Sequence, residues 1–230
     1  MLHLDDVAIR QAGFTLTADL RLTAGVTSVI GPSGGGKSTL LGAIGGFVPL
    51  ELGRITWQGT DLAKRGPADR PVSLLFQDNN LFPHLSVQKN LALAFGPRLR
   101  VTAKQADQIA VALDRVGLTG YADRLPGSLS GGQQSRAGLA RVLLQDRPIV
   151  LLDEPFAALG PAMRAEMLAL VAEVLQGRTV LMVTHDPTDL RRIGGGLIVV
   201  ADGSVSAPAP ALEMLDNPPP ALRDYLGQGQ

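Results

Sequence analysis

The sequence predicts an α/β fold built on a mostly parallel sheet, and three observations carry that prediction. Short continuous apolar runs, such as residues 149–152 and 180–183, have the length and composition of strands buried on both faces. Segments with helical spacing stand between them, the alternation that yields parallel strands covered by helices. A glycine-rich stretch also joins an early strand-like segment to a helix-like one. At 230 residues and 45% hydrophobic, the chain can bury a sizeable core.

The elements follow in order. Residues 2–9 and 14–22 alternate apolar with polar, as half-buried strands do, and residues 26–30 form a compact apolar strand after a turn at Gly25. From Lys37 the apolar residues Leu40, Leu41, Ala43 and Ile44 fall at helical spacing, until Gly45-Gly46 and Pro49 end the helix. Short strand-like pieces at 54–58 and 72–76 precede a loop with Pro and Asn at 78–84. Residues 87–116 are rich in Ala, Leu, Gln and Lys and broken at Gly96-Pro97, which reads as a helical insertion. Then come a helix at 133–144, a buried strand at 149–152, a helix at 161–176 with Pro161 in its first turn, and a buried strand at 180–184. The prolines at 208, 210 and 218–220 predict a short helix at 211–215 followed by a tail.

Composition removes several functions. Twenty-one basic residues balance twenty-one acidic ones, so no overall field draws the chain to nucleic acid, which is not expected as a partner. The absence of cysteine excludes disulfides, thiolate metal sites and cysteine nucleophiles. The first six residues, MLHLDD, show no basic stretch followed by an apolar one, so no secretory signal is expected. The apolar runs fall far short of the roughly 18 residues that a membrane-spanning helix requires.

Two motifs carry chemistry. Gly31, Pro32, Ser33, Gly34, Gly35, Gly36, Lys37 and Ser38, with Thr39 behind them, fit a phosphate-binding loop placed between a strand and a helix. Its glycines let backbone amides turn inward, the helix N-terminus adds partial positive charge, Lys37 offers an ammonium to the β and γ phosphates, and Ser38 offers a hydroxyl to Mg²⁺. The strand at 149–152 then delivers Asp153 and Glu154 at its carboxyl end, where open α/β sheets bind ligands. Asp153 is placed to reach Mg²⁺ and Glu154 to polarise a water for attack on a γ-phosphate. Acidic residues after a strand can equally be helix caps.

With Leu129-Ser130-Gly131-Gly132-Gln133 ahead of a helix, Gln77 between the two segments, and His185 after the next strand, residues 1 to about 205 resemble the ATP-binding subunits of ABC transporters. The resemblance implies a P-loop NTPase fold with a mostly parallel core sheet, an N-terminal antiparallel β subdomain and an inserted α-helical subdomain at about 78–135, followed by a Pro-rich C-terminal segment at 206–230. It implies ATP and Mg²⁺ as cofactors and a second copy of the chain as partner, each ATP held by one copy's phosphate loop and the other's Ser130 segment. It further implies transmembrane permease subunits, indirect service to a periplasmic binding protein, and a peripheral place on the cytoplasmic face of the inner membrane. By the same resemblance Gln77 senses Mg²⁺ and the attacking water, His185 contacts the γ-phosphate, and Phe14 is the nearby aromatic for stacking adenine, although an aromatic on a strand also suits a core. Members usually carry Asp after the Ala-Leu that follows the glutamate, whereas Ala158-Leu159 is followed here by Gly160.

Within the family, residues 70–85, 131–136 and 199–203 are most similar to the thiamine-importer branch, which implies uptake of thiamine and of thiamine pyrophosphate. Leu81, Phe82 and Leu85, apolar on the loop after Gln77, suit either a permease helix or packing beneath the insertion. The other readings are an importer ATPase for iron, sulfate or polyamines, a non-transport ABC ATPase, and a soluble P-loop kinase with an acceptor pocket in place of the Ser130 segment.

Overall fold

A computed structural model describes residues 1–11, 13–76 and 79–227. Its strands and helices run β1 (Leu2–Gln11), β2 (Phe14–Leu22), β3 (Gly25–Ile30), α1 (Lys37–Gly45), β4 (Leu52–Trp57), β5 (Thr60–Asp61), β6 (Val72–Leu75), α2 (Val87–Ala92), α3 (Ala103–Arg115), α4 (Gly131–Gln145), β7 (Ile149–Asp153), α5 (Pro161–Val174), β8 (Thr179–Val183), α6 (Pro187–Ile193), β9 (Gly196–Ala201), β10 (Ser204–Val205), β11 (Ala209–Pro210), α7 (Ala211–Asp216) and α8 (Pro220–Gly227).

The strands lie in the order β5-β4-β1-β2-β10-β9-β3-β8-β7-β6. From β9 to β6 the neighbours are parallel, while β2, β1, β4 and β5 are antiparallel. Short β10 joins the two halves by pairing with both β2 and β9. The parallel strands are buried on both faces because successive side chains point to opposite sides. Val150, Leu152, Val180 and Met182 meet α2, α3, α4 and α5 in one core. Ile149, Leu151, Leu181 and Val183 meet α1 and the antiparallel strands in a second. The continuous apolar runs of the sequence thus serve two cores at once.

The insertion holds α2, a 3₁₀ turn at Leu93–Phe95, and α3. Gly96, at φ 131, separates them where the sequence places a break. The loop entering it is fastened by Asn90, whose amide donates to the carbonyls of Phe82, Leu85 and Ser86 and accepts from Phe82 N–H at 2.7 Å. Arg141 of α4 donates to Asn80 O at 2.7 Å and so ties the same loop to the core. At the far end of α1, buried Arg70 donates to the carbonyls of Ala43 and Ile44 at 2.7 and 2.9 Å, which satisfies helix-end acceptors with a cation where the helix dipole is negative.

The C-terminal segment differs from the expectation of one short helix and a tail. A helix does form at Ala211–Asp216, but the prolines at 218–220 start a second helix, α8, instead of ending structure. Leu222 is fully buried in a third core with Ile30 of β3, Leu197 and Val199 of β9, and Leu190 of α6. The sequence hides this because α8 is short and its apolar residues Leu222, Tyr225 and Leu226 span one turn and a half. Leu222→Ala is expected to lower unfolding free energy by about 2–5 kcal/mol in urea titration, as for other buried leucines; a cost near zero would restore the tail.

Candidate functional site

Strand register assembles the site. Asp153 on β7 lies opposite Val183 on β8, and Val183 lies opposite Val29 on β3. The residues that follow therefore leave the sheet side by side: the glycine loop after β3, Glu154 after β7, and Thr184 and His185 after β8.

Gly31 is buried at φ 148, and a Cβ placed there would lie 2.0 Å from the Val200 carbonyl oxygen of β9. Close backbone approach, not only phosphate access, requires glycine at this position. The crest of the loop, Ser33 and Gly34, is exposed. Gly36, at φ 103, is the N-cap of α1, and a Cβ there would be 2.9 Å from the Phe14 ring. Phe14 thus packs beneath the end of the loop, with part of its surface in the core below. Thr39 donates its hydroxyl to Gln11 Oε1 at 3.4 Å.

Lys37 Nζ donates to the carbonyl oxygens of Gly31 at 2.8 Å and Pro32 at 2.9 Å, which sets the ammonium inside the curve of the loop. Burial pushes its pKa down, while Glu154 and Asp153 pull it back toward the charged form. Burial likewise pushes the Asp153 carboxyl above its ordinary range, against a hydrogen bond from Ser38 and aided by Glu154, with the Lys37 charge opposing. A serine hydroxyl touching a carboxylate, two hard oxygen donors on adjacent elements, fits Mg²⁺. Gln77, expected as a further oxygen ligand, lies outside the described residues.

Glu154 has φ 45. Apart from Gln58, the other non-glycine residues with positive φ among the described ones are Asp or Asn, which tolerate this region better than a glutamate does. Such a conformation costs about 1–3 kcal/mol and persists where surroundings fix it, which is common at functional positions. His185 Nδ1 lies 3.4 Å from Glu154 Oε2, with the His185 side chain 52% exposed.

Behind this pair stands a network that no sequence motif signals. Arg164 of α5 donates to Asp186 Oδ2 at 3.0 Å and lies 3.6 Å from Asp189, while Thr184 donates to buried Asp189 at 2.5 Å. Burial raises the Asp189 carboxyl despite Thr184 and Arg164. For Asp186 burial also pushes upward, but hydrogen bonds from Thr188 and the Arg164 charge outweigh it and hold this acid below its ordinary value.

Ser130 caps α4: its hydroxyl accepts from Gln133 N–H at 3.3 Å, and Gln133 Oε1 accepts from Ser130 N–H at 3.0 Å. This capping box gives the segment a structural role of its own. Gly131 is exposed, whereas Gly132 is buried, and a Cβ there would fall 1.9 Å from Met163 Sδ on α5. Among the described residues no hydrogen bond or ion pair joins Ser130 to the loop at 31–38, so one chain does not bring these two segments into contact that way. Gly160 begins α5 as an N-cap without a side chain to close it.

A family model described as ABC transporter matches residues 17–157. The chain is 61% identical over 230 residues to the thiamine import ATP-binding protein ThiQ of Cereibacter sphaeroides, covering 99% of this chain and 100% of the relative. It is 54% identical to the protein of the same name from Ruegeria, with the same coverage. Among solved structures, an ADP conformation of an ATP-binding cassette of an ABC transporter superposes with a TM-score of 0.86 at 23% identity, over 98% of each chain, and so shares the fold. A dimeric post-hydrolysis ATP-binding cassette bound to ADP and Pi superposes with a TM-score of 0.77 at 27% identity, over 92% of this chain and 99% of that one.

Two glycines of the loop separate packing from conformation. Gly31→Ala is expected to cost about 2–5 kcal/mol in urea unfolding, since backbone strain and a clash with Val200 add. Gly34, at φ 76 with nothing within 4 Å of an added Cβ, is expected to cost only about 1–2 kcal/mol on the same change. Equal costs would show that the approach to Val200 is not what demands glycine.

Proposed function

The chain belongs to the ABC transporter family, and from that premise we propose that it is the ATP-hydrolysing subunit of an importer whose cargo is thiamine. The observation that carries the cargo is 61% identity, across the whole chain, to a thiamine import ATP-binding protein. Thiamine pyrophosphate, as a close chemical relative of that cargo, belongs to the same proposal. No helix among the described residues is long and apolar enough to cross a membrane, so attachment would be peripheral, through permease subunits on the cytoplasmic side.

In this reading the inward-turned amides of residues 33–38 and the Lys37 ammonium bind the phosphates of ATP. Ser38 and Asp153, with Gln77, would hold Mg²⁺, which when bound neutralises developing charge on the phosphate oxygens. Glu154 accepts a proton from water as the water oxygen bonds to the γ-phosphorus and the bond from that phosphorus to the bridging oxygen of ADP breaks. His185, beside Glu154, faces the same phosphate. Phe14, whose ring lies against Gly36 at the end of the loop, is the aromatic that this reading offers to adenine. The exposed Ser130 and Gly131, at the N-terminus of α4, would complete the pocket of a second copy, and its Ser130 segment, with Gly132 and Gln133 shaping the cap, would complete this one. A dimeric cassette bound to ADP and Pi is among the structural relatives, which supports two copies acting together.

The permease has a place to dock. A groove of about 670 Å³ is lined by Phe76, Leu81, Phe82, Leu93 and Pro97 with Arg141 at its side, where the loop after Gln77 meets the insertion. An amphipathic helix fits such a site by burying its apolar face against Phe76 and Phe82, which are 42% and 48% exposed.

Glu154→Gln is expected to lower ATP turnover at least about 100-fold while ATP affinity is retained, because only proton acceptance is removed; turnover within a few-fold of the parent would take Glu154 out of that role. With permease and binding protein reconstituted in vesicles, hydrolysis should rise on adding thiamine. Stimulation by sulfate, iron or a polyamine instead would replace the cargo.

A further inference from the structure

The C-terminal helix reaches the hydrolysis centre. Leu222, Tyr225 and Leu226 form the inner face of α8 and pack on the core built from β3, β9 and α7. From that face the Tyr225 hydroxyl donates to the backbone carbonyl oxygen of His185 at 3.0 Å, across 40 residues of sequence. The phenol is close enough to Glu154 and Asp186 for their charges, after burial itself, to push its ionisation upward. A tyrosine with its ring in a core commonly finds some partner for its hydroxyl. Here that partner is the main chain of the residue whose imidazole stands 3.4 Å from the Glu154 carboxylate.

The other fastenings of this loop lie on either side of His185. Thr184 N–H donates to Val29 O at 3.2 Å and its hydroxyl to Asp189, while Asp186 is held by Arg164 and by Thr188 N–H. These fix the residues before and after. The peptide that leaves His185 is held from both sides: its N–H, on Asp186, donates to the Thr184 hydroxyl at 3.2 Å, and its carbonyl oxygen accepts from Tyr225 of α8. Anchoring it restrains the imidazole, because the His185 Cα is one of the coplanar atoms of that peptide and a displacement of the unit carries the Cα and the side chain it bears.

We propose that Tyr225 is a positioning residue for ATP hydrolysis, its phenol holding the His185 backbone so that the imidazole faces the Glu154 carboxylate and the γ-phosphate. The inference rests on reading this site as the ATP-hydrolysing centre. It gives the last helix a part in turnover in addition to its part in the core, and its effect should appear in the chemical step and not in the capture of nucleotide.

The test is Tyr225→Phe in the full chain assembled with its membrane partner. The change keeps the ring and removes one hydroxyl. The expected result is a fall of about three- to tenfold in kcat for ATP, with KM and the thermal midpoint unchanged. Leu222→Val, which loosens the same helix without touching the phenol, should lower the midpoint and leave kcat within about twofold. Normal kcat in Tyr225→Phe would overturn the proposal. So would a fall in kcat matched by a fall in the midpoint, or an equal loss in Leu222→Val, since either assigns the effect to packing. An assembled parent protein that hydrolyses no ATP would remove the underlying reading of the site, an outcome visible before any variant is compared.

Discussion

The register of β3, β8 and β7 is the constraint on which the rest of the molecule depends. Val29, Val183 and Asp153 stand abreast, and the functional residues follow them off the sheet within one or two positions. A slip of one residue in β7 would exchange its two faces, sending Leu152 into the core of Leu151 and turning Asp153 away from Ser38. Both faces are filled by large apolar side chains, so such a slip would have to rebuild two cores together. The precision of the polar site is therefore set by apolar packing on either side of the sheet, with Gly31 against Val200 fixing how closely the loop follows β3.

Charge in the site is arranged around one buried ammonium. Lys37 is 9% exposed, and burial works against its charge while Asp153 and Glu154 sustain it. Burial works against Asp153 as well, offset by Ser38 and Lys37. Each of these groups is costly to bury alone and less so beside the others, which explains why the start of α1 and the end of β7 bring them to one point. Glu154 is held by its backbone in a conformation that glutamate seldom adopts. A carboxylate fixed in this way pays less to become ordered when a reactant arrives.

The sequence disclosed whatever depends on local spacing. The glycine loop, the run ending at Asp153 and Glu154, the capped segment at Ser130 and the two-faced strands could all be read because each is a pattern within a few residues. Features that depend on distant residues could not be read. Arg164 meets Asp186 and Asp189 only because α5 and α6 lie side by side, and Arg70 meets the end of α1 across 27 and 26 residues. Helix α8 is hidden for a related reason: three consecutive prolines usually end structure, and the stability of this short helix comes from the pocket that receives Leu222, which β3, β9, α6 and α7 create. For Gly132 the structure shows a packing requirement directly, through Met163.

At position 160, where the family resemblance implies an aspartate, the chain has glycine, and the next turn of α5 makes contacts of its own on two sides. Met163 packs against Gly132, next to Ser130, and the adjacent Arg164 holds Asp186, next to His185. Consecutive residues of α5 therefore touch the segment offered to one nucleotide and the loop serving the other, if each pocket is shared between two copies as proposed. Helices are stiff over a single turn, and the Arg164 side chain is only 14% exposed, between two carboxylates. A displacement of the Ser130 segment carried into α5 through Met163 would reach the His185 loop through Arg164 without a contact from residue 160. The contacts that run from Gly132 through Met163 and Arg164 to Asp186 therefore lie wholly inside one chain and need no side chain at position 160.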